Sequence, residues 1–321
     1  MNVAAESQSQ VTRSQLALER RKFRRKSLRG NLDLYLLLLI PLVYIAIFQY
    51  FPIYGYLLAF KHFSPTQGIL GSDWAGLHYI SQFVNSYQFF RVLWNTVKLS
   101  VGLLIIATPF SLMLAVCVVK SRAWYLKKAT QFFTYIPYFF SMVIVTSMIM
   151  QVLHPRVGLL NVALASLGFE STNLLARPSA FVPIYVVSSI WQYAGYGSIL
   201  FIAVLTGIDY QLYESAEIDG ANQWRQLLHI DLPYLMPTLS VVFIVRIGQV
   251  LSVGFEKAYL LQNSLNLEAS EILPTYIFKL GLQQGLFSLS TAVNLFNTVL
   301  NLVIVVLANS LVKRLKGQAI Y

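Results

Sequence analysis

The sequence predicts an all-α integral membrane protein with six transmembrane helices. Of its 321 residues, 56% are hydrophobic and only 12% are charged, whereas about 25% are charged in ordinary soluble domains. The apolar residues fall into six stretches, each close to the roughly 20 residues that an α-helix needs to cross a bilayer. A soluble, disordered, collagen-like or secreted-scaffold chain is therefore excluded.

The predicted membrane domain, 31–311, lies between a basic tail, 1–30, and a C-terminal tail, 312–321. The first span ends on bulky Phe48 and Tyr50, which does not fit a cleaved signal peptide. The second contains one cation, Lys98, and the third follows a basic loop. The predicted spans are 34–54, 94–118, 131–153, 180–206, 236–255 and 288–311.

The distribution of lysine and arginine predicts the orientation. The two tails and the 119–130 and 207–235 loops hold 16 of these residues, and the opposite three loops hold six. Cytoplasmic loops carry the excess of Lys and Arg, so both termini are predicted to be cytoplasmic. The basic tail is interpreted as contacting lipid headgroups, and not nucleic acid. The long opposite loops favour a docking surface for an external partner or a set of interfacial helices.

No catalytic or metal-binding motif is found. Cys117 is the only cysteine, and no two of the four histidines are four residues apart. Glycine-rich phosphate loops, nucleophile elbows and HExxH are also missing from the sequence. We expect neither an enzyme site nor a bound cofactor or metal in this chain.

The 207–235 loop has one basic and five acidic residues, which suggests that a protein covers it. A short helix is predicted over 211–219, with its end at Gly220, because glycine tolerates positive φ. A second helix is predicted from about 222, ending at Pro233 and Pro237. The alternative is a plain amphipathic linker.

One motif in this loop carries a family resemblance. Six residues have the spacing Glu-x-Ala, three residues, Gly, nine residues, Ile-x-Leu-Pro; they are Glu214, Ala216, Gly220, Ile230, Leu232 and Pro233. The pattern resembles the EAA loop of ABC importer permeases, although Ser215 replaces the usual alanine. From about residue 30 the chain is similar to the permeases for complex oligosaccharides, through segments 54–61, 76–77, 190–192, 207–209 and 254–257.

This resemblance implies the type I ABC importer permease fold and a set of partners. An ABC ATPase dimer, which holds the ATP and Mg²⁺, would dock on the loop. A second permease, expected to be a different chain, would share the pathway, and an external solute-binding protein would deliver an oligosaccharide. Trp224, Leu227 and Leu228 would be anchors; the other candidate docking residues are Asp219 and Ala221, beside the six of the motif.

Polar residues inside the spans suggest a substrate path. Arg246 in span five is interpreted as binding substrate or as a structural pair, and span four offers Trp191, Gln192, Tyr193 and Tyr196 for sugar contact. Gly195 and Gly197 also fit close helix packing. The other candidates are Gln249, Ser252, Asn294, Asn297 and Asn301, of which the asparagines share one face of span six and favour interhelical hydrogen bonds.

The function expected is import of an oligosaccharide by an ATP-driven transporter in the inner membrane of a bacterium. A uronate polymer such as alginate is the first candidate, because the guanidinium of Arg246 can bind a carboxylate bidentately and because the chain has a general likeness to that family. Neutral oligosaccharides and other acidic ones stay open. The alternatives are a stand-alone secondary transporter, for which we find no carboxylate central in a span, a membrane receptor or scaffold, and, as the weakest, a membrane enzyme.

Overall fold

The computed structural model describes the backbone of residues 32–252 and 254–316, and the side chains of 33–252 and 254–310. The predicted basic tail, 1–30, lies outside these residues, as does the end of the C-terminal tail beyond Lys316. The chain divides after Leu57 into two units, which are described separately.

The first unit contains the first predicted span. Helix α1, Leu32–Ile45, continues as a π-helical turn, Ala46–Tyr50, and then as the 3₁₀ segment Phe51–Phe60. The tighter final segment contains Pro52, which has no N–H to donate to an α-helical ladder. Together they form a candidate span over Asp33–Phe60, longer than the predicted 34–54.

The second unit opens with a small antiparallel ribbon. Strand β1, Lys61–His62, pairs with β2, Asp73–Trp74, with Lys61 opposite Trp74. The Ser288 hydroxyl donates to the carbonyl of Lys61 at 2.7 Å and accepts from the N–H of Phe63 at 3.1 Å. These bonds fix the ribbon to the start of the last helix.

Helices form nearly all of the rest of the second unit. Two short ones flank β2: α2, Gly68–Gly71, and α3, His78–Val84. The remaining α-helices are α4 Gln88–Lys120, α5 Trp124–Tyr135, α6 Met142–Val152, α7 Leu159–Ser166, α8 Pro178–Thr206, α9 Tyr210–Ile218, α10 Gln223–Gln226, α11 Leu232–Ile247, α12 Phe255–Leu261, α13 Leu267–Ser270, α14 Leu273–Phe278 and α15 Phe287–Lys316. Short 3₁₀ or π segments cover Ile136–Phe139, Leu174–Ala176, Leu227–Asp231 and Lys279–Gln283.

Four predicted spans are confirmed as long apolar helices. Within residues 32–252 and 254–316, five helices are long and apolar enough to cross a membrane, or six if one bent pair counts as a span. Beside the first span, spans two, four and six correspond to α4, α8 and Phe287–Ser310 of α15. Their bounds lie close to the predicted ones, except that α4 already begins at Gln88 and not at 94.

The third predicted span, 131–153, is not a single straight helix. Trp124–Phe139 and Met142–Val152 meet at an angle of 104°. Pro137 lies in the 3₁₀ segment before the bend, and the Ser141 side chain caps α6 by accepting from the N–H of Ile144 at 3.4 Å. A proline followed by a helix N-cap ends one helix and starts another, which apolar content alone does not reveal.

The fifth predicted span, 236–255, is wrong at both ends. The helix begins at Gln223 and ends at Ile247, followed by a turn, and α12 starts after Gly254, whose φ is +69°. Pro233 does not terminate the preceding helix, and neither does Pro237. Just before Pro233, the N–H of Leu232 bonds to the carbonyl of Leu227 in a widened π-turn, so the proline sits in the first turn of α11, where its missing N–H is tolerated.

Three buried clusters hold the second unit together, and α4 with α8 forms the most extensive helix pair. One cluster joins α3, α4, α14 and α15, and a second joins α4, α8 and α12. The third lies at the ends of α4 and α8 and includes Ala115, Phe201, Leu205 and Leu235. It supports the 207–235 loop, because Tyr213 and Ile230 pack against it.

Candidate functional site

The 207–235 loop has the predicted helix–turn–helix. Asp209 caps α9 by accepting from the N–H of Gln211 at 3.0 Å, and Gly220 follows the helix with φ +74°. Asn222 caps α10 by accepting from the N–H of Arg225 at 2.9 Å. The predicted turn at Gly220 is confirmed, and its positive φ explains why glycine is needed there.

The loop presents an apolar and acidic surface. Ile218 is 87% exposed and Trp224 is 70% exposed, and Leu228 of the same loop is also exposed. Of the other predicted docking residues, Glu214, Asp219 and Gly220 are exposed, as is Pro233; the half-buried ones are Ala216, Ala221, Leu227, Ile230 and Leu232. Exposed large apolar side chains grouped in this way are typical of a protein interaction site.

A cavity of about 610 Å³ lies between α4, α8, α11 and the turn that leads into α12. We call it the central cavity. Tyr193, Tyr196, Arg246 and Gln249, four of the predicted substrate residues, line it together. Tyr185, Ser189, Ser252 and Lys257 also contribute.

Lys257 is the most unusual residue of this cavity. Its side chain is only 1% exposed, its Nζ donates to the Ser189 hydroxyl at 2.9 Å, and it lies 5.3 Å from the centre of the Tyr185 ring. No carboxylate of the described residues pairs with it. Lys257 lies in α12, beyond the end of span five. Burial removes its ammonium group from water and lowers the pKa of Lys257 to about 7.

Arg246 adds a second cation. Within the part of the chain that the structure describes, its guanidinium forms no ion pair or hydrogen bond. Its Nη2 lies 3.9 Å from where a Cβ on Gly197 would stand, so the glycine leaves space beside it. Arg246 also lines a neighbouring cavity of about 530 Å³ between α4 and α11. The predicted structural pair with backbone carbonyls is therefore not formed within the described residues, and the alternative pair with a second permease subunit stays a prediction.

An aromatic surface lies beside these cations. The Tyr196 ring stacks on Tyr138 with centroids 3.8 Å apart and an angle of 2°, and Tyr138 also contacts Tyr193 at 6.0 Å. Tyr138 belongs to the 3₁₀ segment at the bend of the third span. The bend therefore brings a tyrosine against α8 that sequence reasoning did not select.

The structure separates the remaining predicted residues. Trp191 lines a different cavity, about 550 Å³ and almost entirely apolar, between α6 and α8. Gln192 is only 2% exposed and does not line the central cavity. Asn294 and Asn297 line a further cavity of about 480 Å³, which shares Ser252 with the central one.

One structural interpretation is confirmed and another is met in part. Asn301 donates to the Ser252 hydroxyl at 3.1 Å and accepts from the N–H of Leu251 at 3.3 Å, so it joins α15 to the turn after α11, whereas the Oδ1 of Asn297 has no hydrogen-bond partner among the described residues. A Cβ on Gly195 would stand 2.0 Å from the carbonyl oxygen of Thr134, so this glycine permits α5 and α8 to pack closely.

Sequence reasoning missed Lys257 as a site residue. The residue lies in a segment predicted as an external loop, and only the tertiary fold brings it to Ser189, 68 positions away. Its sequence signal is weak: a lysine three residues after Gly254, in a stretch noted only for its family resemblance.

Comparison with known proteins gives consistent similarities. Residues 107–317 match the family of binding-protein-dependent transport system inner membrane components. The chain is 40% identical over 288 residues to the polygalacturonan/rhamnogalacturonan transport system permease protein YteP of Bacillus subtilis (strain 168), covering 90% of each. It is 39% identical over 295 residues to protein LplB of the same organism, covering 92% of this chain and 93% of that protein.

Solved structures give the same result. A crystal structure of a bacterial ABC transporter involved in the import of the acidic polysaccharide alginate contains a similar chain, with a TM-score of 0.84, 35% identity and coverage of 91% of this chain and 98% of that one. A bacterial alginate ABC transporter in complex with an alginate pentasaccharide-bound periplasmic protein contains another, with a TM-score of 0.85, 34% identity and coverage of 92% and 99%.

Proposed function

This chain belongs to the family of binding-protein-dependent transport system inner membrane components and is the multi-pass permease subunit of a sugar ABC importer, and we propose that its cargo is an acidic oligosaccharide of uronate units, of the alginate or polygalacturonate kind. ATP hydrolysis belongs to another subunit of such a transporter. Family membership sets aside the secondary transporter, the receptor and the membrane enzyme.

The observation that carries the proposal is the pair of cations in the central cavity. Among the described residues, Lys257 is buried with the Ser189 hydroxyl as its hydrogen-bond partner and the Tyr185 ring beside it, and neither Lys257 nor Arg246, in the same cavity, has an acidic partner. A buried charge without a counter-charge is costly, so a protein that keeps two of them is expected to meet an anion there. A uronate carboxylate supplies that anion.

The tyrosines of the cavity fit the neutral part of such a cargo. Sugar rings present C–H faces that pack against aromatic rings, and Tyr193 and Tyr196 line the cavity beside Arg246. Gln249 and Ser252 offer hydrogen bonds for ring hydroxyls. The asparagine-lined cavity that shares Ser252 provides room for a further sugar unit.

The remaining parts of the transporter are also proposals. The exposed apolar and acidic surface of the 207–235 loop supports docking of an ABC ATPase dimer, which would hold the ATP and Mg²⁺. A second permease, of a different sequence, would complete the pathway. We propose that this loop and both termini are cytoplasmic, which the excess of Lys and Arg on that side supports. A periplasmic protein accompanies one similar transporter, which supports an external binding protein here.

The test compares an acidic cargo with its neutral counterpart. The complete transporter is reconstituted in liposomes and given a tri-uronate, or the same trisaccharide after each carboxylate has been reduced to an alcohol. We expect wild-type uptake to favour the acid about tenfold or more, because a charge-assisted contact is worth about 1.5–3 kcal/mol. Lys257→Gln and Arg246→Gln should each remove most of this preference.

Lys98→Gln is the matched control. Lys98 is an exposed cation of α4, 5.4 Å from the centre of the Trp94 ring, and lies outside the central cavity. Its removal should leave the preference intact. Equal uptake of both sugars by the wild-type transporter, or an unchanged preference in both cavity variants, contradicts an acidic cargo.

A further inference from the structure

A fully buried carboxylate joins three elements at the base of the 207–235 loop. Asp231 is 0% exposed and lies where the π-turn Leu227–Asp231 enters α11. Its Oδ2 lies 2.8 Å from the Nζ of Lys120, the last residue of α4. Its Oδ1 accepts a hydrogen bond from the hydroxyl of Tyr213 in α9. We call these three residues the carboxylate cluster.

Asp231 is enclosed by its two partners, which are themselves half-buried. The Lys120 Nζ lies 5.3 Å from the centre of the Tyr213 ring, so all three side chains touch one another. Burial raises the pKa of Tyr213, and its hydrogen bond to Asp231 and the negative charge of that carboxylate raise it further. The phenol of Tyr213 therefore stays protonated at physiological pH and donates a hydrogen bond to Asp231.

The contact with α4 has no polar substitute. Among the residues that the structure describes, the Lys120–Asp231 ion pair is the only ion pair or side-chain hydrogen bond that joins the 207–235 loop to a helix outside it. The other link is apolar packing of Tyr213 and Ile230 on the buried cluster of Phe201, Leu205 and Leu235. Apolar packing is non-directional, whereas an ion pair with a hydrogen bond fixes an angle.

We propose that Asp231, Lys120 and Tyr213 are positioning residues that make α9, the start of α11 and the end of α4 move as one body. This inference rests on the proposed docking of an ATPase at the 207–235 loop. The exposed side of the loop, with Trp224 and Ile218, would receive the movement of the ATPase. The buried side, through Asp231, passes it to spans two and five. Span two lines the central cavity through Ser111, and span five does so through Arg246.

The experiment measures coupling separately from assembly. The complete transporter carrying Asp231→Asn, Lys120→Met or Tyr213→Phe is purified and reconstituted with its binding protein. The measured quantities are the ATPase subunits that co-purify, the rate of ATP hydrolysis with and without cargo-loaded binding protein, and the cargo molecules imported per ATP. A purely structural role does not change the last ratio.

We expect each variant to retain its ATPase subunits and its unstimulated hydrolysis. Cargo imported per ATP should fall about tenfold in Asp231→Asn and Lys120→Met, because each loses a charge-assisted contact, and less in Tyr213→Phe, which loses one hydroxyl. The reversed pair Lys120→Asp with Asp231→Lys should recover part of the ratio. Arg122→Met, which removes an exposed cation two residues after Lys120, is the control and should match wild type.

Each outcome bears on the proposal. A wild-type ratio in all three assembled variants overturns it. Failure of all three to assemble, including the mild Tyr213→Phe, also overturns it, because the cluster would then serve folding alone. Loss of the ATPase subunits from a Trp224 variant concerns the docking proposal instead, so the two failures can be distinguished.

Discussion

Replacing Lys257 by methionine is expected to stabilise the folded protein and to weaken import of acidic cargo. Methionine keeps the length and apolar body of the side chain and removes its charge. Burial lowers the pKa of Lys257 from 10.5 to about 7. At about 1.4 kcal/mol per pH unit, this burial costs the folded protein about 4 kcal/mol at pH 7. The lost hydrogen bond to Ser189 offsets about 2 kcal/mol of the gain.

The net change is about 2 kcal/mol in favour of methionine, and its pH dependence has a definite sign. Between about pH 7 and 10.5 the unfolded lysine binds a proton that the folded one has released. The free energy of unfolding of the wild-type protein therefore rises with pH across this window, and the variant loses this contribution. Below about pH 7 both states hold the proton, so the difference is constant.

Thermal unfolding of the purified transporter at pH 7 and at pH 9 measures this effect. We expect Lys257→Met to unfold a few degrees higher at pH 7, with the difference shrinking at pH 9. Uptake of a tri-uronate should fall in the same preparation. Lys98→Met, which removes an exposed cation, should change neither. A lower unfolding temperature for Lys257→Met at pH 7, with the wild-type pH dependence retained, refutes the reasoning.

Three further substitutions test the loop and the helix packing. Gly220→Val strains a backbone with φ +74° but meets no steric clash, so uptake should fall severalfold while the protein stays folded. The matched control is Gly168→Val, at φ +85° outside the loop, and a transporter with this change should import normally. Trp224→Ala should lose ATPase co-purification about tenfold with unchanged thermal stability, because the side chain is 70% exposed. Gly195→Ala places a Cβ 2.0 Å from the Thr134 carbonyl oxygen and should lower the free energy of unfolding by about 1–3 kcal/mol in thermal or denaturant unfolding.

Each of these has an outcome that contradicts it. Normal uptake by the Gly220 variant, or equal loss in the Gly168 variant, removes the special role of the turn. Full ATPase recovery with Trp224→Ala removes that residue as an anchor. An unchanged unfolding temperature for Gly195→Ala means that α5 and α8 separate at little cost.

The sequence predicts the number of apolar stretches and the 207–235 motif well, because both depend on local composition and spacing. Hydropathy does not report a bend, so it does not predict the break of the third span at Phe140 and Ser141. Pro137, just before the break, is a local sign of it. For the same reason span five was placed too late. Val250 and Leu251 extend the apolar stretch after the helix has ended.

The candidate site was predicted in part. Arg246, Tyr193, Tyr196 and Gln249 share the central cavity because α8 and α11 face it, and the choice rested on polar side chains inside spans. The face of a helix that meets a cavity depends on its neighbours. Trp191 was therefore assigned to the sugar path although it lies against an apolar cavity.

The continuous helical run from Gln223 to Ile247 is long enough to convert a small rotation at one end into a large displacement at the other. Its 25 residues correspond to a rod of about 37 Å at 1.5 Å per residue. Trp224 lies at one end and Arg246 at the other. A tilt of about 10° about the Trp224 end of such a rod displaces the far end by about 6 Å, roughly twice a hydrogen-bond length. If the cargo is a uronate as proposed, a small tilt would withdraw the Arg246 guanidinium from a bound carboxylate, so binding and release of the cargo would correspond to two positions of one helical segment.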